Sequence, residues 1–338
     1  MRVLCVLSKC NFGDPEHGLS HEYIEFYDTF IRMGHDVKLF DFAEVLMKHG
    51  KSSMKELLAN DVELFKPDMM FTYLIKDEVS LETLLPFKGK FSPISVGGFG
   101  DDEWRFETWS IKYGQVFDWV VTTDSEAVEK YHREGIKAIH KRTGVNHHIF
   151  QQKGLPKTID VSFVGGARLD RVKVINRLRK EGVNVSAMGA GWNTTIWDRI
   201  KSKLNLRLFS PINKIHKKFG ETWISFEDMD EVFGRSKINL NFAASYRGKR
   251  KQIKGRVFDV TACGTFLLSE YLPEIEDYFI LDKEIVCFEG YEDMAAKIKY
   301  YLAHETERET IAEAGYKRTM ADHTAEMRMR QIFSEIGL

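Results

Sequence analysis

The sequence predicts an α/β protein made of two doubly wound, Rossmann-like units with additional helices at the C-terminal end. Three observations carry that expectation. The chain opens on a strand-loop-helix-turn-strand pattern, the order that begins a doubly wound sheet. A turn-rich stretch, Gln151-Gln152-Lys153-Gly154-Leu155-Pro156, then interrupts the pattern before a second apolar run starts at Ile159. Finally, 338 residues, 43% hydrophobic and 29% charged, are more than one compact core usually organises.

In the first half, residues 2–7 read as a buried strand, 20–33 carry helical spacing, and Gly34-His35-Asp36 turns the chain into a strand over 37–40. Further strands are expected over 68–73, 93–96, 119–122 and 138–140, before a turn at 143–146. The loop after the first strand has Gly13 and Gly18 off the G-x-G-x-x-G spacing, which argues against a nicotinamide enzyme. His17 and His21 bracket the start of the first helix, either as structural residues or facing a ligand. The stretch from Gly97 to Trp104 reads as a loop at the carboxyl end of a strand, where open α/β sheets receive ligands. Its acids, Asp101, Asp102 and Glu103, are neighbours in sequence and point in different directions, so no metal site is expected there. Asp101 either caps a helix or faces a substrate.

The linker is expected over 150–157. After it, a strand over 159–164 ends in Gly165-Gly166-Ala167-Arg168, where the glycines allow a tight turn. Arg168, Arg171 or Lys173 can then reach a phosphate over the start of a helix at 172–181. A strand over 183–188 leads to Gly189-Ala190-Gly191-Trp192. From 198 to 220 there are seven Lys or Arg and one acid, a solvated basic face or an anion-attracting one. A capped helix over 225–233 and a strand over 238–242 deliver a basic loop. Between Arg247 and Arg256 stand six cations, Arg247, Lys249, Arg250, Lys251, Lys254 and Arg256, with no acid among them, so their repulsion calls for solvent or a bound anion. Residues 257–262 read as a short buried helix whose one charge, Asp259, needs a partner. Gly264 turns the chain into a strand over 265–269, ended by Glu270, and three helices follow over 291–304, 307–322 and 324–336.

These residues suit a nucleoside diphosphate carrying a sugar. Lys254, Gly255 and Arg256 at a helix start would meet the phosphates, and Asp259, one turn in, would accept hydroxyls. Asn241 and Ser245 are polar donors near the sugar, and Glu270 is the acid best placed to touch it.

The segment from Arg256 onward resembles the sugar-nucleotide-binding half of the CgeB-like (spore-maturation protein) family of glycosyltransferases, within the GT-B group; a weaker likeness extends over nearly all the chain. The family's Glu-Ala-x-Ala-Cys-Gly motif is matched by Asp259-Val260-Thr261-Ala262-Cys263-Gly264, with an acid one methylene shorter. Its Phe-x-Gly-(x)n-Arg segment is matched through Gly165, Gly166 and Arg171. Eight positions before Asp259, where many retaining members have another acid, stands Lys251.

The resemblance implies two facing domains, an acceptor-binding one over 1–152 and a donor-binding one over 153–338, with the last helix crossing back to the first. It implies that Asp259 binds the donor ribose and that Arg171, Lys254 and Arg256 offset the charge of the departing diphosphate. The implied reaction is retaining transfer from a nucleoside-diphosphate sugar, UDP ahead of GDP, to the hydroxyl of a glycan, small molecule, protein or modified nucleic acid. No cofactor or metal is required, because fixed cations fill the leaving-group role. Asp101 is the candidate base should the reaction invert. A sugar-nucleotide epimerase and a non-catalytic nucleotide-sugar-binding protein are the alternatives.

A net charge of −1 argues against a wholly nucleic-acid-binding surface. Four scattered cysteines, Cys5, Cys10, Cys263 and Cys287, show no metal spacing and suit a reducing compartment. Met1-Arg2 runs straight into the first strand, without a leader pattern or a membrane-length apolar stretch, so a cytoplasmic location is expected. The basic stretch over 198–220 leaves peripheral membrane contact open.

Overall fold

The computed structural model describes residues 1–89, 94–192, 224–244 and 250–338. The expectations placed on Pro93, on 198–220, and on Ser245, Arg247 and Lys249 lie outside the described residues.

The described residues group into two units. The first holds 1–146, 250–255 and 322–338; the second holds 147–244 and 256–321. The chain therefore leaves the first unit after Asn146, ahead of the break expected over 150–157. Side-chain bonding explains the shift. Asn146 is buried and its amide donates to the Ile24 carbonyl at 3.0 Å and to Asp28 Oδ2 at 2.8 Å, both in the first unit. Gln151 already donates its backbone N–H to Asp230 Oδ1 at 2.8 Å, and Lys153 pairs with the same carboxylate, so the linker-like stretch belongs to the second unit.

The first sheet is six-stranded and parallel, in the order β2-β1-β3-β4-β5-β6. Its strands are β1 (Arg2–Leu7), β2 (Asp36–Asp41), β3 (Met69–Tyr73), β4 (Ile94–Phe99), β5 (Trp119–Thr122) and β6 (Ala138–His140). Val3 aligns with Val37 on one side and Met69 on the other. Because both faces are covered, β1 reads as a continuous apolar run, not an alternating one. Leu4 and Val6 pack with Phe40, Met54 and Leu58, while Val3, Cys5 and Leu7 pack with Phe26, Phe30 and the last helix, Ala325–Ile336. Phe333 of that helix stacks on Phe30 with centroids 5.9 Å apart. Each fully buried side chain of this kind contributes about 1.5–3 kcal/mol.

The first helical segment departs from a simple α-helix. Tyr23–Tyr27 forms a wide π turn before Asp28–Arg32 resumes α geometry. β4 also runs further than expected, through Gly97 and Gly98. A Cβ on Gly97 would sit 2.4 Å from Phe117 Cδ2, and one on Gly98 would sit 2.8 Å from Tyr73 Cδ2. These glycines let neighbouring rings close onto the strand, so they are sheet residues and not a ligand loop.

The second sheet has five parallel strands in the order β11-β10-β9-β7-β8. They are β7 (Ile159–Val164), β8 (Val185–Met188), β9 (Ser236–Asn241), β10 (Leu267–Glu270) and β11 (Val286–Phe288). Counted from β7, this repeats the 2-1-3-4-5 order that opens the first sheet, and in each the connections reverse beside the first strand of the unit. That switch point lies between β1 and β3 in the first unit and between β7 and β9 in the second. The short β11 was not anticipated; its three residues are too few for a periodic signal. The three terminal helices are Gly290–Ala303, Glu305–Asp322 and Ala325–Ile336.

Candidate functional site

In the second unit, β7 and β9 end side by side, and the chain after β7 closes into a narrow glycine turn. Gly165 donates its N–H to the Met188 carbonyl at 2.8 Å, and Ala167 donates to Ala190 at 2.8 Å. Gly189 has φ +114, and a Cβ there would meet the Gly165 carbonyl oxygen at 2.9 Å, so the turns after β7 and β8 fit together only through glycine. Trp192 donates its indole N–H to the same Gly165 carbonyl at 2.6 Å. Sequence reasoning had found the Gly189-Ala190-Gly191-Trp192 run without assigning Trp192 a role; it holds the turn.

Two arginines converge on this turn. Arg171, on the helix Leu169–Lys180, donates Nη1–H to the Gly166 carbonyl at 3.3 Å. Arg256 begins the helix Arg256–Ala262, and a Cβ on Gly165 would lie 3.3 Å from its Nη2, so the missing side chain makes room for the guanidinium. The guanidinium carbons of Arg171 and Arg256 stand 5.4 Å and 5.8 Å from the centroid of one buried ring, Phe163. Burial, then repulsion from Arg256 and Arg168, pushes Arg171 down to about 10, against the pull of Asp170 and Glu270. Burial likewise lowers Arg256, against the pull of Asp259. The Nε atoms of both arginines are buried with no hydrogen-bond partner among the described residues. Two like charges with unspent donors in a half-buried turn form a site suited to an anion.

The other expected residues of this unit surround the turn in different ways. Asp259 is buried on the fourth position of its helix, close enough to Arg256 to offset part of its charge. Asn241 is 1% exposed and donates its amide to Ser269 Oγ at 3.0 Å, while its Oδ1 has no partner among the described residues. Glu270 Oε2 accepts the Ala243 N–H at 2.9 Å and so holds the exit of β9. Gly264 has φ +65 and lies so close to Gln152 that a Cβ would approach its Cγ to 2.6 Å. Cys263 donates to Asp230 Oδ1 at 3.2 Å, and this 1%-exposed acid, which also receives the linker, was missed because its partners are remote in sequence.

Lys254, Gly255 and Asp101 fall in the first unit. The basic segment is not paired only with solvent or an anion, as its sequence suggested. Arg250 contacts Asp124 Oδ1 at 3.3 Å and Glu126 Oε1 at 2.7 Å, and Arg142 donates to the Ile253 carbonyl at 3.4 Å. Gly255 lies against His21, where a Cβ would be 3.7 Å from Nε2, an ordinary contact. His21 Nε2 lies 2.9 Å from Glu25 Oε1. Lys254 neighbours Glu103, whose carboxyl is raised by burial and by Asp101 and drawn down by the lysine. Asp101 precedes the helix Asp102–Arg105 without a side-chain capping bond; its carbonyl accepts from Trp104 and Arg105.

Two parallel sheets of this topology are those of the GT-B fold, and residues 171–334, just under half of the chain, match the family model described as glycosyl transferase-like. The chain is thus glycosyl transferase-like in sequence over that segment and shares the GT-B fold. It resembles spore protein CgeB of Bacillus subtilis strain 168, with 22% identity over 275 residues, covering 78% of this chain and 81% of that protein. Sucrose-phosphate synthase from Thermosynechococcus elongatus shares the fold with a TM-score of 0.63 at 12% identity, over 100% of this chain and 99% of the other. Anabaena HepE, solved in complex with UDP, shares it with a TM-score of 0.62 at 11% identity, over 100% of each chain. Among the described residues no helix is long and apolar enough to cross a membrane.

Proposed function

We propose that this chain is a glycosyltransferase that moves a sugar from UDP-sugar to an acceptor hydroxyl, with retention and without a divalent metal. One observation carries the donor reading: Arg171 and Arg256 converge over Phe163 at a glycine turn, each with an unpaired buried Nε. A diphosphate there accepts from both guanidinium groups and removes their mutual repulsion. The helix Leu169–Lys180 begins directly after the turn, where its dipole favours an anion. The solved complexes of HepE with UDP and with UDP-glucose support uracil as the base.

In this reading the second unit binds the donor and the first binds the acceptor. Asp259 receives the ribose hydroxyls, with Gly165, Gly166 and Gly264 shaping the backbone around the ligand. Asn241, Ser245 and Glu270 serve the sugar end, while Lys254 adds positive charge and Gly255 permits close approach. As the bond from the anomeric carbon to the diphosphate oxygen breaks, the acceptor oxygen bonds to that carbon and its proton passes to the departing diphosphate. Fixed arginine charge takes the place of a metal. Asp101 orients the acceptor hydroxyl. The four cysteines are free thiols, which suits a reducing, cytoplasmic setting.

The test is incubation of the purified chain with radiolabelled UDP- and GDP-sugars, with and without an acceptor panel, before and after exhaustive chelation. Acceptor-dependent UDP release that survives chelation, with the anomeric configuration retained by NMR, is expected. Isomerisation of the donor without transfer, or activity restored only by a stoichiometric divalent ion, would contradict the reading.

A further inference from the structure

The carboxyl ends of β7, β9 and β10 lie side by side in the second unit, with Ser162 level with Asn239 and Asn239 level with Leu267. The segments that leave these strands are tied together across the sheet. Glu270, the last residue of β10, accepts the Ala243 N–H on its Oε2 at 2.9 Å, and Arg168, beyond β7, donates Nη1–H to the Ala244 carbonyl at 3.5 Å. The Ala243-Ala244 exit of β9 is thus held by an acid on one side and by the arginine turn on the other. A glutamate anchored in this way gives up much of its side-chain freedom and stands as a fixed negative charge.

That charge acts on the arginine pair. Arg171 draws support from two acids, Asp170 and Glu270, against its burial and the repulsion of Arg256 and Arg168. Asp170 is engaged by Arg168, its Oδ1 accepting from Nε at 3.3 Å and its Oδ2 from Nη2 at 3.1 Å. Glu270 is held through a backbone amide, which fixes the carboxylate without cancelling its charge.

The consequence concerns the leaving group. A diphosphate esterified to a sugar carries about one negative charge fewer than the free nucleoside diphosphate released from it, because a terminal phosphate ionises a second time near pH ~6. A fixed anion beside the arginines therefore opposes the product more than the donor, and a site built on two buried arginines gains a means of letting its product go.

We infer that Glu270 is a positioning residue of the donor site: its carboxylate, acting through Arg171, limits the hold of the arginine pair on the released diphosphate. The inference rests on the donor reading above and adds to it how the product leaves.

The test is calorimetric titration of UDP and of uridine into the full chain, wild type and Glu270→Gln, from neutral pH through the alkaline range. Glutamine keeps an acceptor for the Ala243 N–H and removes the charge, and UDP has no sugar on its diphosphate for the side chain to touch. At neutral pH the UDP affinity of the variant should rise by about 3-fold, the scale of one partly exposed charge interaction, with uridine affinity unchanged. The alkaline fall in UDP affinity should begin at lower pH than in wild type, since Arg171 has lost a supporting acid. A role confined to holding the β9 exit would move neither reading, because glutamine holds it as well. Glu270→Ala, which also drops the amide contact, should raise the UDP-to-uridine ratio in the same direction while lowering the melting temperature. An unchanged or lower ratio in either folded variant, or an alkaline fall that stays in place, would overturn the inference. Equal affinity of the wild type for UDP and uridine would defeat the donor reading on which it rests.

Discussion

Arg171 and Arg256, 85 positions apart in the chain, lie against one aromatic ring, with guanidinium carbons 5.4 Å and 5.8 Å from the Phe163 centroid. Arg256 lowers the readiness of Arg171 to hold charge, burial does the same to Arg256, and each keeps a buried Nε without a partner among the described residues. The consequences are strongest where a ligand or a substitution changes that balance.

The pH dependence of donor affinity follows from Arg171. Its folded-state value is pushed down to about 10, mainly by burial and then by Arg256 and Arg168. In the proposed donor site it is the protonated form that would bind the diphosphate, so affinity should be flat below that value and fall as the pH rises through it. The sign for stability is opposite: the folded chain disfavours the charged form, so this residue's penalty on folding is present below about 10 and relieved above it. Calorimetric titration of UDP across the alkaline range checks the first statement. Arg171→Met should lose this alkaline step.

Trp192→Phe keeps a ring but removes the indole N–H that donates to Gly165 at 2.6 Å. A lost hydrogen bond of this kind costs about 1 kcal/mol of stability, so the melting temperature should fall by about 2–4 °C, and UDP affinity should fall with the loosened turn. Unchanged affinity would show that the turn keeps its form without the tryptophan.

Gly264→Ala should destabilise the second unit by about 1–3 kcal/mol, since φ +65 disfavours a side chain and the new Cβ would meet Gln152 Cγ at 2.6 Å. Adding Gln152→Ala should recover the steric part and leave the backbone part. Denaturant titration of the single and double variants separates them.

Asp259→Asn should reduce the preference for UDP over its 2′-deoxy and 3′-deoxy forms, because the amide replaces one acceptor oxygen with a donor. The ratio of affinities is the readout. An unchanged ratio would leave Asp259 as the offset to Arg256 charge alone.

The parts of the fold that were legible in the sequence are those carried by local pattern. Residues 3–7 are an unbroken apolar run because their strand is covered on both faces, residues 159–164 alternate through Asp160 and Ser162, and the observed limits of both strands match those expected. The Gly165-Gly166 turn was visible for the same reason, whereas Arg171 was singled out from Arg168 and Lys173 by the family resemblance alone. Gly97 and Gly98 were misread as a loop because their cause is Phe117 and Tyr73 closing on the strand from elsewhere in the chain. Arg250 could not be matched to Asp124 and Glu126, since nothing in the basic segment encodes a partner 126 positions away. The change of unit at Asn146 was hidden for a similar reason: Gly154 and Pro156 mark a turn, but the bonds that assign the stretch run to Asp230.

The central claim is that the arginine pair holds the diphosphate of a nucleotide sugar, and the sharpest measurement is the affinity of UDP relative to uridine in wild type and in Arg256→Met. Uridine presents the base and ribose alone, so the ratio isolates the phosphate contribution. Two charge-assisted hydrogen bonds to one guanidinium are worth about 1.5–3 kcal/mol each in a protected site, so the ratio should fall by at least ~10-fold in the variant while uridine affinity stays the same. An equal UDP-to-uridine ratio in the two folded proteins would contradict the account.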